Sequence, residues 1–184
     1  VPYYVRPSEA GIVAHLRAVA EVSPVPIVVY NIPARTGRNL SARHLYELAR
    51  SPNFAGVKQA PATLDDDTLE LVRLTNQVEG FAVLGGTDTF LFPLVVMGGT
   101  GTICASAHVC TERFVEMIEC GLAGKVDEGR AHAEALLPVT QALFAEPNPA
   151  VFKGGLSASP QRIIWRQGAV ECQPTDGADQ GQQF

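Results

Sequence analysis

The stretch Phe54 to Ala60, FAGVKQA, runs apolar and then meets a charge at Lys58. A second apolar run, IVVYNI at 27–32, contains Tyr30 and Asn31, and the loop after it carries Arg35 within PARTG at 33–37. A lysine at the end of a buried strand loses part of its hydration, which disfavours the ammonium and leaves a larger fraction as free amine. That amine can attack a ketone to form a Schiff base. A phenol on a neighbouring strand could carry the protons that carbinolamine formation and dehydration require, and an arginine fork fits a carboxylate. Lys58, Tyr30 and Arg35 together describe a site for a keto acid. Taken singly, each has a plain alternative: a strand end facing water, a packing tyrosine and a solvated loop charge.

The chemistry depends on elements that set these residues side by side. Ser8 is placed to cap a helix over 8–22, in which Ile12, Val13, Leu16, Val19 and Ala20 recur at helical spacing. The run at 27–32 has no polar alternation, which predicts a strand covered on both faces. Asn39 to Ser41 cap a helix carrying Leu45, Leu48 and Ala49, closed by the turn at Ser51 to Asn53. Phe54 to Lys58 is a second strand. Residues 63–75 form a helix whose acidic start, Asp65 to Asp67, suits the helix dipole better than it suits a cation site. Strands at 81–86 and 101–105 flank a helix at 87–98, and helices at 112–123 and 126–144 follow.

Short strands alternating with helices signal repeated βα units and a parallel sheet. An open doubly wound sheet and a closed (β/α)8 barrel both fit. No GxGxxG follows a strand and no GxxxxGK[ST] occurs, and GGTGT at 98–102 precedes a strand, so it reads as a tight turn. In either fold, ligands bind beyond the carboxyl ends of the strands. Those ends are Tyr30 and Asn31, Lys58 and Gln59, Gly85 to Asp88, and Ile103 to Ser106.

The 184 residues suit one domain or part of a larger one, and 46% hydrophobic with 18% charged residues is the composition of a soluble globular protein. The net charge of -5, with no basic cluster, argues against nucleic acid and acidic membrane partners. The four cysteines, 104, 110, 120 and 172, show no CxxC or zinc spacing and read as free thiols of a reducing compartment. The histidines 15, 44, 108 and 132 form no HxH or HExxH, so surface or helix-packing roles are expected of them rather than metal binding. Glu146, before Asn148, reads as structural. Val1-Pro2-Tyr3-Tyr4 has neither methionine nor signal-peptide pattern, so a cytoplasmic protein with further residues upstream is expected.

The segments PYYVRPSEAG at 2–11, VVYNIPARTG at 28–37, GVKQA at 56–60, GGTGTICAS at 98–106 and AEPNPAVFK at 145–153 resemble the dihydrodipicolinate synthase and N-acetylneuraminate lyase family. The resemblance covers residues 1 to about 155, and its pair of motifs, YNxPxRTG and GxK, is highly specific. It implies a (β/α)8 TIM barrel of which residues 1–155 form the C-terminal half barrel with its following helices. It also implies a pyruvate-dependent Schiff-base enzyme without a cofactor. Lys58 is then similar to the imine-forming lysine, Tyr30 to the proton-relaying tyrosine, and Tyr4 to the tyrosine that reaches a neighbouring subunit's site. Arg35 looks like the arginine that binds the second substrate's carboxylate, and Ile103 and Gly86 correspond to strand-end backbone contacts. Arg35 and EPNP favour the synthase branch, which joins pyruvate to aspartate semialdehyde on the route to diaminopimelate and lysine. Another pyruvate aldolase, acting on N-acetylneuraminate or a keto-deoxy sugar acid, is the alternative. The implied assembly is a homo-oligomer, a dimer or tetramer.

Three departures from the family pattern stand out. The paired-threonine motif that completes its proton relay has no counterpart here, which opens the reading of a non-catalytic fragment. Gln59 follows Lys58 where the family often has an acidic residue. Residues 156–184 lose the family pattern, and 168–184, rich in Gln, Gly and Asp, are expected to be disordered.

Overall fold

Ser8 ends the irregular N-terminal segment and starts the first helix, its hydroxyl accepting the Gly11 amide at 3.2 Å. That helix, α1 (Glu9–Val22), buries Ile12, Val13 and Leu16. The computed structural model describes residues 1–158. Along them run β1 (Ile27–Asn31), α2 (Pro33–Thr36), α3 (Ala42–Ala49), β2 (Phe54–Gln59), α4 (Asp66–Thr75) and β3 (Ala82–Gly85). A 3-10 turn at Asp88–Phe90 leads into α5 (Leu91–Val96), β4 (Gly101–Thr102) and a second such turn at Ser106–His108. The helices α6 (Thr111–Leu122), α7 (Val126–Leu143) and α8 (Ala150–Ala158) complete the described chain.

The four strands form one parallel sheet in the order β1-β2-β3-β4. Helical connections put each strand beside the one before it, as in a βα barrel. One face of this sheet carries the core. Val29, Val57 and Val83 meet Leu16 of α1, Leu45 and Leu48 of α3, and Leu71 of α4, all of them buried. Two smaller clusters hold the later helices: Leu91, Phe92, Phe114, Met117 and Leu136, then Val139, Leu143 and Phe152.

The other face is bare. Val28 is 44% and Tyr30 40% exposed while Val29 and Asn31 are buried, so the coverage on both faces expected for 27–32 does not hold in this chain. Side chains alternate across a strand, and the exposed set, Val28 and Tyr30, points at the interior that a complete barrel would enclose.

Other expectations shift at element ends. The helix expected over 87–98 is split, because Asp88–Phe90 winds as a 3-10 turn and Phe90 leaves helical geometry at φ -129° and ψ 27° before α5 begins. The strand expected over 101–105 is only Gly101–Thr102, although the Ile103 amide still donates to the Gly85 carbonyl at 2.8 Å. Neither α2 nor α8 was legible as a helix. Ser41 sits at the start of α3 as expected, but its side chain makes no cap bond. The Ala42 amide donates instead to Asp67 Oδ1, at 3.0 Å, from the first turn of α4. Asp65 caps its own helix through the Thr68 amide at 2.9 Å.

Cys104 and Cys120 are free thiols, but Cys110 is disulfide-bonded, which corrects the free-thiol reading there. Among the described residues no helix is long and apolar enough to cross a membrane. The segment expected to be disordered, 168–184, lies outside the described residues.

Candidate active site

Parallel pairing sets the central relationship. In the β1–β2 register Tyr30 stands opposite Lys58, one position before the end of each strand. Both side chains project onto the bare face, and the lysine Nζ lies 4.2 Å from the centre of the tyrosine ring. A cation at that distance from a π face is held electrostatically. The half-buried lysine and the phenol are therefore neighbours, as Schiff-base chemistry requires.

Gly86 explains how the lysine reaches this position. A Cβ there would lie 2.9 Å from both Cγ and Cε of Lys58, so the lysine stem runs across a space that only glycine leaves open. The Gly86 amide donates to the Gln59 carbonyl at 2.8 Å. Ile103 is 46% exposed beside the next strand end, and its amide donates to the Gly85 carbonyl. Asp88 and Cys104 complete the electrostatic surroundings. Burial first, and the Asp88 carboxylate second, push the Cys104 thiol up, against the opposing pull of hydrogen bonds from the Ala107 backbone and the Thr102 side chain and, last, of Lys58. Asp88 is itself held by the Ser106 amide, which donates to its Oδ1 at 2.7 Å.

Arg35 lies in the last turn of α2, which Gly37 ends in the left-handed region at φ 68°. Its guanidinium is exposed and donates to the Asn148 carbonyl at 3.4 Å, tying the loop after β1 to the segment before α8. Arg38 Nε donates to the Arg6 carbonyl at 3.0 Å, which brings the N-terminal segment to the same loop. Tyr4 stands apart: it is 86% exposed at φ 69°, and its ring meets Tyr3 edge-on with centroids 4.3 Å apart. No hydrogen bond or ring contact joins it to Tyr30 or Lys58 among the described residues. No group of three metal-ligating side chains occurs among those residues either.

Sequence reasoning overlooked what lies behind the pair. Asn31 and Gln59, next in line after Tyr30 and Lys58, are 0% and 1% exposed on the helix-covered face, and they bond to each other at 2.9 Å. A polar pair buried at two aligned strand ends was the available signal.

The model of the "Dihydrodipicolinate synthetase family" matches residues 1–160. This chain belongs to that family. A 4-hydroxy-tetrahydrodipicolinate synthase of Moorella thermoacetica is 39% identical over 168 residues, covering 89% of this chain and 56% of that protein. The dihydrodipicolinate synthase structure from Thermotoga maritima superposes with a TM-score of 0.83 at 31% identity, over 91% of this chain and 57% of the other. A chloride-inhibited dihydrodipicolinate synthase from Acinetobacter baumannii, complexed with pyruvate, superposes at 0.78 with 28% identity, over 86% of this chain and 53% of that one. The chain thus spans about half the length of these relatives, and its four-stranded parallel sheet is a partial barrel of the dihydrodipicolinate synthetase fold.

Proposed function

We propose that this chain supplies the Schiff-base half of a 4-hydroxy-tetrahydrodipicolinate synthase, which condenses pyruvate with aspartate semialdehyde in the cytoplasm. The observation that carries the reading is the Lys58 amine 4.2 Å from the Tyr30 ring at two strand ends in register. The Lys58 amine adds to the ketone carbon of pyruvate, and loss of water leaves an imine. Removal of a methyl proton then gives an enamine, whose carbon attacks the aldehyde and forms the new C–C bond. Tyr30 carries protons during addition and dehydration.

Arg35, on the loop beyond β1, takes the carboxylate of the second substrate. Ile103 and Gly86 shape the floor beneath the keto acid. Tyr4, exposed on an N-terminal arm, completes the proton relay in a neighbouring subunit of a homo-oligomer. These roles rest on the family relationship and on where the side chains lie.

Incubation with pyruvate and sodium borohydride tests the reading, because hydride reduces an imine to a stable secondary amine. Intact-mass analysis is expected to show one reduced pyruvate adduct, mapped to Lys58 and absent from Lys58→Ala. No adduct, under conditions that label a full-length relative, would assign this chain no imine chemistry of its own.

A further inference from the structure

The amide of Asn31 is a branch point. Its Oδ1 accepts the Leu40 amide at 3.2 Å, which fixes the amide's orientation and leaves both Nδ2 hydrogens to donate. Along one branch Nδ2 donates to Gln59 Oε1 at 2.9 Å, Gln59 Nε2 to Thr68 Oγ1 at 3.1 Å, and Thr68 Oγ1 to Asp65 Oδ1 at 2.6 Å. Along the other, Nδ2 approaches Asn39 Oδ1 at 2.9 Å, and Asn39 Nδ2 donates to Asp67 Oδ2 at 3.1 Å. The Leu40 carbonyl, at 3.2 Å, is a longer alternative acceptor for the same group. Every donor in both branches points the same way, and both branches end on carboxylates at the start of α4. Along the first branch, where the Asn31–Gln59 and Gln59–Thr68 bonds are buried, aligned bonds in a low-dielectric interior polarise one another.

The placement matters because Asn31 and Gln59 are the last rung of β1 and β2, and Tyr30 and Lys58 are the rung before. A slip of one residue would exchange the two faces of a strand, burying the lysine and exposing the glutamine. Buried polar partners resist such a slip, since any other register leaves them unpaired.

We propose that Asn31 and Gln59, anchored through Thr68 and Asp65, are positioning residues that hold Tyr30 and Lys58 against each other on the open face. The inference extends the Schiff-base reading and rests on it for its catalytic meaning. Its structural content can be tested without pyruvate. Thr68→Val removes one hydroxyl and cuts the first branch, while Asp65 still caps α4 through the Thr68 amide. Thr68→Ser restores the hydroxyl.

Two readouts are compared in the whole chain: the pyruvate dependence of borohydride trapping, and acetylation of Lys58 by acetic anhydride relative to exposed Lys125. In Thr68→Val the maximal trapping rate falls about tenfold with half-saturating pyruvate unchanged, the scale on which misplaced reacting groups slow a reaction. The acetylation ratio rises severalfold as the strand end loosens, and Thr68→Ser returns both values to those of the parent. Unchanged values in Thr68→Val overturn the proposal. So does loss of its circular dichroism spectrum, which would make the chain of bonds a support of the fold rather than of the site. If the parent chain does not trap pyruvate, the Schiff-base reading fails alone, and the acetylation ratio with its serine rescue decides the positioning role.

Discussion

Lys58 and Gly86 occupy a space that one methyl group would fill, the lysine Cγ and Cε each lying 2.9 Å from where a Cβ on residue 86 would be. The alanine methyl would also come 3.0 Å from the Ala60 Cβ, so it is crowded from a second side and the lysine stem must give way. Gly86→Ala is therefore expected to lift Nζ away from the Tyr30 ring. Pyruvate trapping should fall by about 10- to 100-fold, the penalty for displacing a reacting group by roughly 1 Å. Thermal melting measured alongside separates this local effect from a general loss of fold.

Glu9 gives the fold an acid-sensitive contact. Burial alone would raise its carboxyl, but the Ser41 hydroxyl and amide and the His44 ring together hold it below the ordinary value of 4.5. A folded-state value below the unfolded one adds stability above the unfolded pKa, and that stability is lost as pH falls through the folded value. The side chain is 39% exposed, so solvent screening keeps the contribution small. Glu9→Gln should lower the melting temperature by about 2 °C or less at pH 7. The difference should shrink and vanish as pH falls through the lowered folded-state value. A difference that persists unchanged in acid would show that the carboxylate charge is not what matters.

Asp67 caps a helix that is not its own. Its Oδ1 accepts the Ala42 amide at 3.0 Å and its Oδ2 accepts from Asn39 at 3.1 Å. Asp67→Ala is expected to destabilise the protein by about 1 kcal/mol, the usual loss for a helix N-cap. Asp66→Ala, in the same acidic run but exposed, should change stability by less than about 0.5 kcal/mol. Urea unfolding of the two variants checks the contrast.

Leu45 and Leu48 of α3 are both 0% exposed within the main cluster. Truncating either to alanine removes buried methyl groups and leaves a cavity against Val29 and Val57, so a loss of about 2–5 kcal/mol is expected. Chemical denaturation with an unchanged slope would confirm that the loss is one of stability alone.

The Cys104 thiol, pushed up by burial and then by Asp88, should alkylate slowly near neutral pH, because the thiolate is the nucleophile. Asp88→Asn removes the second of those causes. The iodoacetamide rate at Cys104, followed by peptide mass spectrometry, should rise, with Cys120 as the internal reference. An unchanged rate would mean that burial alone sets the reactivity.

Much of this protein was written locally along its chain. Apolar runs of strand length, helical spacing after Ser8, and the motifs around Tyr30, Lys58 and Arg35 are properties of neighbouring residues, so a linear reading finds them. The parallel alternation of strands and helices follows from the same periodicities. Only the tertiary structure brought Gly86 under the Lys58 stem, gave Asp67 to the helix before its own, and joined Asn31 through Gln59 to the start of α4. Each of these is a contact between segments far apart in sequence, fixed by strand register and helix packing. Tertiary structure also left Val28 and Tyr30 exposed where an unbroken apolar run reads as doubly covered. Hydrophobicity records that a side chain can be buried; what covers it is decided by the elements that pack there.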